Sequence, residues 1–221
     1  MWKRIKENYW VNEIKDLLVS VIIALIIVIP FRHFVAEPYI VQGASMSPNY
    51  TTGDYIIVNK FTSYLTKPDR GNVIVFVPPM ERNKNTNIET GVSDRFFSGG
   101  WKDYAPLLDG RMKYIKRTIG LPGETVKLDA GRVYIKKVGS DKFEKLEEPY
   151  IKDHTWWSNQ EVKLKDDEYF MLGDNRSNSR DSEEFGPIKY SDIIGRPFWR
   201  LFPFENFGFY PANYKFKEKN N

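Results

Sequence analysis

The chain has no cysteine and only two histidines, His33 and His154, in 221 residues. Without cysteine there can be no disulfide framework, thiolate zinc site or thiol redox pair. The histidines are far apart and lack the H-E-x-x-H spacing, so neither a catalytic metal nor any other cofactor is expected. The net charge is +4, but the basic residues are scattered and no stacked aromatic pattern accompanies them. Nucleic-acid binding is therefore not expected. Internal repeats and long amphipathic helices are missing too. With 41% apolar and 28% charged residues, the chain reads as globular, with enough length for one anchored domain or two small ones.

One hydrophobic run stands out. Leu17 to Phe31 reads LLVSVIIALIIVIPF, broken only by Ser20 and Pro30. A spanning helix needs about 20 residues, so this one must borrow Val11 and Ile14 before it and Phe34 and Val35 after it. A buried core helix and a cleaved secretory signal are competing readings. Cleavage after Ala36 would put Phe34, and cleavage after Ala44 would put Gln42, where a small side chain is wanted, which favours an uncleaved anchor. Lys3, Arg4, Lys6 and Lys15 precede the run and only Arg32 follows it closely. The positive-inside rule then predicts a single-pass membrane protein with a cytoplasmic N-terminus and everything after residue 36 outside. Residues 1–36 form the tip and anchor, 37–214 an extracytoplasmic domain, and 215–221 a charged tail.

The body of the chain reads as strands and turns. Tyr55–Val58 (YIIV) and Val73–Val77 (VIVFV) are short β-branched runs bounded by turn residues, the pattern of strands buried on both faces. Thr125–Leu128 and Val133–Ile135 flank Asp129-Ala130-Gly131 as a hairpin, and Glu168–Leu172 is a further strand. The expected fold is mostly β, an antiparallel sheet or barrel-like domain behind one N-terminal transmembrane helix. Two stretches interrupt it: a polar, Gly-rich insertion at 80–112, and a Lys/Glu-rich region at 136–167 with Trp156-Trp157, read as a small cap.

Just beyond the anchor, Gly43-Ala-Ser-Met-Ser-Pro48 places Ser45 in a turn. A serine needs a partner to take its proton before it can act as a nucleophile. With histidine scarce, the alternative base is a lysine kept neutral by burial. Lys116 suits, because on a strand Tyr114, Lys116 and Thr118 share one face while Ile115 and Arg117 point to the other. An edge-strand lysine in water is the competing reading. A third segment, Gly173–Gly186 (GDNRSNSRDSEEFG), is either a solvated turn or a source of hydroxyls and ion pairs that hold such a lysine in place.

In this order behind an anchor, S-M-S-P (Ser45–Pro48), Y-I-K-R-T-I-G-L-P-G-E (Tyr114–Glu124) and G-D-N-R-S-N-S-R-D-S (Gly173–Ser182) resemble the type I signal peptidases, especially those of Gram-positive bacteria. The family consists of membrane-bound Ser/Lys proteases that remove signal peptides. The resemblance covers most of residues 1–200. It implies Ser45 as nucleophile, Lys116 as general base, Ser179 orienting the amine, and Asp174, Arg176 and Asp181 supporting the site. The oxyanion hole would use the Ser45 N–H; many members add a serine two positions earlier, where this chain has Gly43. Another departure is Glu183 in place of the usual arginine, so an ion pair with Asp181 would be either lost or rebuilt from Arg176 or Arg180.

The resemblance also implies precursors cut after Ala-x-Ala. Val41, Tyr50, Tyr114 and Ile115 would line the first pocket, while Tyr39, Ile56 and Val75 would shape the third-residue pocket. The substrate would lie extended beside strands at Tyr39–Ala44 and Lys113–Lys116. Expected partners are signal-peptide-bearing precursors, the lipid bilayer and the secretion translocon. The aromatics of Phe198–Phe209 read equally as a membrane-dipping surface or as a C-terminal strand. A self-cleaving repressor would need a DNA-binding helix-turn-helix where the anchor stands. A Ser-His-Asp hydrolase built on His154 would be ruled out by full activity of His154→Ala, and an anchored binding module with Ser45 as a mere turn residue would be favoured if the wild type cleaved no such precursor. The 80–112 insertion would serve as a substrate-specific lip or a partner contact.

Overall fold

The computed structural model describes residues 2–79, 112–152, 158–209 and 212–216. His154, the Trp156-Trp157 pair and the insertion up to residue 111 lie outside them. The chain opens with helix α1 (Trp2–Pro30) and a π-helical turn (Phe31–Val35), then runs through β1 (Ala36–Ile40), β2 (Tyr55–Asn59), α2 (Phe61–Leu65), β3 (Val73–Phe76) and β4 (Tyr114–Gly120). It continues with β5 (Thr125–Asp129), β6 (Arg132–Lys136), β7 (Glu144–Lys145), β8 (Asn159–Lys163), β9 (Glu168–Leu172), α3 (Ser182–Phe185), β10 (Ile188–Lys189), β11 (Ile193–Phe202) and β12 (Gly208–Phe209).

The strands form two antiparallel sheets. The larger has the order β1-β2-β11-β3-β4-β9-β10, with β12 paired to β11; the smaller is β7-β6-β5-β8. The mostly β, antiparallel expectation therefore holds. The second sheet begins at Thr125 rather than at residue 136, because β5 pairs with both β6 and β8 along its whole length. Its inner face packs Val126, Leu128, Val133 and Ile135 against Ile119, Phe170 and Leu172 of the main sheet.

Strand β3 shows why a short continuous apolar run was informative. Val73 and Val75 enter one core cluster, Ile74 and Phe76 another, so both faces are buried. Strand β2 does not follow suit: Ile56 and Val58 are buried, whereas Tyr55 and Ile57 are only half covered. In the β5–β6 hairpin, Ala130 and Gly131 both take positive φ (48° and 74°). That two-residue geometry matches the twist of the flanking strands.

Among the described residues no helix is both long and apolar enough to cross a membrane. Helix α1 has the length, at 29 residues, but its first half is polar and charged. Its apolar part, Leu17 to Pro30, has large side chains such as Leu18, Ile22, Ile26 and Ile27 more than half exposed.

Candidate active site

Strands β1 and β2 form a hairpin whose long loop presents Ser45. The ladder stops at Ile40, short of the expected extension to Ala44. Beyond it, Val41 N–H donates to the Asp54 carbonyl at 2.9 Å and Gly53 N–H to the Val41 carbonyl at 3.0 Å, closing the base of the loop. Gly43 then turns the chain at φ +91°, a backbone region open to glycine and strained for other residues. Two further bonds, Ser47 N–H to Ala44 (3.0 Å) and Tyr50 N–H to Met46 (2.9 Å), wind the turn tightly. Met46, which the sequence did not single out, is buried in the core with Val41 and Tyr50 and pins the turn.

Lys116 lies in the middle of the main sheet, with β3 on one side and Ile74 as its cross-strand partner. It is 4% exposed, and its Nζ is 2.5 Å from Ser45 Oγ. An ammonium there donates to the hydroxyl; a neutral amine can accept the hydroxyl proton. Burial lowers the Lys116 pKa from 10.5 to about 8, against a smaller opposing pull from the Asp181 and Asp174 carboxylates. β4 is an interior strand of the sheet and this lysine is buried, so the reading of an edge-strand lysine in water does not hold.

The segment after β9 folds over the pair. Asn175 donates its backbone N–H to the Ser45 carbonyl at 3.0 Å and its side-chain amide to the Ala44 carbonyl at 3.1 Å, gripping the turn from the front. Asp181 accepts from the N–H groups of Gly173 (3.1 Å) and Glu183 (3.3 Å), the latter capping α3. Burial raises its carboxyl pKa, while those backbone bonds and the nearby Lys116 pull the other way. Of the two alternatives, loss is the one seen: among the described residues Asp181 has no ion pair, since Arg176 binds Glu148, with Nη1 to Oε2 at 3.0 Å, and Arg180 binds Glu184 at 2.7 Å. A carboxylate held by two backbone N–H groups does not require a cation.

Asp174 receives both arms of Arg117, Nε to Oδ1 at 2.7 Å and Nη2 to Oδ2 at 2.6 Å, with both side chains fully buried. Arg117 also donates to the carbonyls of Gly71 and Ala212 and stacks on the Tyr150 ring at 4.0 Å. The sequence placed Arg117 away from the lysine pocket, and so it is. Its partner 57 residues away had no local signal. Asn49, Asn175, Glu148 and Arg200 were missed for the same reason.

Ser179, expected to orient the lysine, makes no hydrogen bond to Lys116 here. Its buried hydroxyl has no hydrogen-bond partner among the described residues. It lies near enough to Asp181 to favour the carboxylate, and packs so closely on Gly173 that a Cβ there would come within 2.1 Å of its Oγ. The Gly43 N–H is taken up by Thr52 Oγ1 at 3.1 Å, and a Cβ on Gly43 would meet open space.

The residues expected to form pockets cluster. Val41, Tyr50, Ile56 and Val75 share one core cluster, with Tyr39 and Ile115 packed against it. Tyr50 and Ile56 are closed off from solvent. Tyr114 packs on the opposite side, against Phe76 and Phe185.

A family model described as "Signal peptidase, peptidase S26" matches residues 14–202. The "Signal peptidase I" of Leptolyngbya laminosa is 36% identical over 198 residues, covering 88% of this chain and 81% of its own. A "Signal peptidase I" of Bacillus amyloliquefaciens is 30% identical over 215 residues, covering 92% and 91%. The crystal structure of a signal peptidase I from Enterococcus faecalis is 26% identical and covers 59% of this chain and 97% of that one, at a TM-score of 0.39, too loose to carry weight. The family match spans both the Ser45 turn and the Lys116 strand, and the chain belongs to the signal peptidase family, peptidase S26, as a serine peptidase.

Proposed function

We propose that this peptidase is a membrane-anchored enzyme that cuts signal peptides from exported precursors with Ser45 as nucleophile and Lys116 as general base. The observation that carries this is the buried amine 2.5 Å from the hydroxyl. Neutral Lys116 takes the Ser45 proton as Oγ attacks the scissile carbonyl. The oxyanion then rests on the Ser45 N–H, for which the described residues offer no other acceptor. The lysinium next protonates the leaving amine, and water hydrolyses the ester.

Substrate would bind as an added strand. Strand β1 ends the main sheet, and β9 pairs with β4 only from Arg117 onward, so Tyr114 to Lys116 have a ladder partner on one side. Those edges suit an extended peptide whose alternate side chains enter pockets. Val41, Tyr50 and Ile115 would bound the first pocket, with Tyr114 on the other face of β4 and outside it. Tyr39, Ile56 and Val75 would shape the third-residue pocket. Bulky, buried side chains leave room for Ala-x-Ala.

The anchor is read from α1 together with the π-helical turn. Leu17 to Val35 is 19 residues, roughly 28 Å at helical rise and close to the hydrocarbon thickness. Phe202, Phe204, Phe207 and Phe209 are all more than half exposed at the β11–β12 end, a surface suited to the lipid interface. The lysines of the N-terminus set it on the cytoplasmic side, and a membrane-bound substrate would gain effective concentration. The translocon is the natural supplier of such substrates.

The test is to incubate the detergent-solubilised protein and its Ser45→Ala variant with a precursor carrying an Ala-x-Ala site, and to sequence the new N-terminus. Cleavage after that site by the wild type alone is expected. No cleavage of several such precursors would overturn the reading.

A further inference from the structure

Met46 roots the Ser45 turn in the core and Asn175 grips its front. A further attachment, sideways, lies four residues on from Ser45. The Asn49 side-chain nitrogen donates to Asp174 Oδ2 at 2.8 Å and to the Tyr150 carbonyl at 3.1 Å. Both neighbours are acceptors, so the amide must face them with its NH2 group, and both of its hydrogens are used. The Asn49 carbonyl in turn accepts from Arg200 Nη2. Arg200 is a buried residue of β11 whose guanidinium covers the Tyr50 ring at 4.6 Å and whose Nε is 3.4 Å from Asp54 Oδ2. Arg200 thus holds the turn from behind, while Asn49 ties it sideways to Asp174.

Asp174 is clamped on both oxygens by Arg117, the residue that follows Lys116 on β4. A chain of side-chain bonds therefore runs from the nucleophile loop through Asn49, Asp174 and Arg117 to the strand of the base. We propose that Asn49 is a positioning residue: the two bonds it donates fix the loop against β4 and so set the separation between Ser45 Oγ and Lys116 Nζ. Asparagine is suited to this because an isosteric aspartate has no hydrogen to donate and would face Asp174 with like charge. The bonds also keep water from the amine by holding the turn down on it.

This inference rests on the Ser45–Lys116 reading, so wild type and Ser45→Ala are assayed beside the variants on the same precursor. Asn49→Ala is expected to lose about 10- to 100-fold in kcat, the scale of a misplacement near 1 Å, with KM within about twofold. The pH at which kcat rises should move upward by about half a unit or more as water reaches Lys116. Asn49→Asp should lose at least as much, and it decides the matter if the alanine variant does not fold. A purely structural role would lower the melting temperature and leave both kcat and the pH limb of the folded enzyme unchanged, which would overturn the proposal. If wild type does not cleave, or Ser45→Ala does, the parent reading falls instead.

Discussion

Replacing Lys116 with methionine should abolish cleavage and at the same time make the protein more stable at neutral pH. Burial depresses the lysine pKa from 10.5 to about 8, and each unit corresponds to about 1.4 kcal/mol, so the charged amine costs the folded state about 3 kcal/mol. The sign follows from proton counting. Between about pH 8 and 10.5 the unfolded chain holds a proton that the folded chain has released, so the stability of the wild type rises with pH across that window. Below pH 8 both states are protonated and the full cost stands. Methionine has similar length and no charge, so Lys116→Met should gain up to about 3 kcal/mol at pH 7 and only about 1 kcal/mol at pH 10. Urea unfolding of the full chain in detergent, followed by tryptophan fluorescence at the two pH values, measures the difference. A methionine variant less stable than wild type at pH 7, or a gap that does not shrink as pH rises, would refute the reasoning.

Two other substitutions probe the surroundings. Gly173→Ala would put a Cβ 2.1 Å from Ser179 Oγ and 2.5 Å from the Ser45 carbonyl oxygen, so the turn must move; kcat should fall about 100-fold, and unaltered kcat in a folded variant would count against the packing described. Arg117→Leu leaves the Asp174 charge buried without a partner and should cost about 3–5 kcal/mol in urea unfolding, much of it recovered in Arg117→Leu/Asp174→Leu. Equal losses in the single and double variants would contradict that origin.

The strands were legible where burial imposed a local pattern. Val73–Phe76 was readable because both faces are covered, and the β5–β6 turn because Ala130-Gly131 sits between two alternating runs. Lys116 could not be told from an edge-strand lysine by its own strand, where Lys113 and Arg117 are charged too; its order with the Ser45 turn and the Gly173–Gly186 segment singled it out. What could not be read were bonds between distant segments: Arg117 with Asp174, Arg176 with Glu148, and Asn49 with both Asp174 and Tyr150. These partners have no spacing in common, and polar residues in a Gly-Asp-Asn-Arg segment look the same whether solvated or buried. Whether Asp181 loses its ion pair or rebuilds one could not be read, because the backbone N–H groups of Gly173 and Glu183 that hold it are invisible in sequence.

The dependence of kcat/KM on pH, measured from about pH 6 to 10 for wild type and for Lys116→Ala, tests most directly whether a buried neutral amine activates Ser45, because this parameter reports the free enzyme's ionisations. The expected result is a rise centred near pH 8, the depressed lysine value, that vanishes with the lysine. A rise centred near pH 6.5, as a histidine would give, or substantial cleavage by Lys116→Ala, would contradict it.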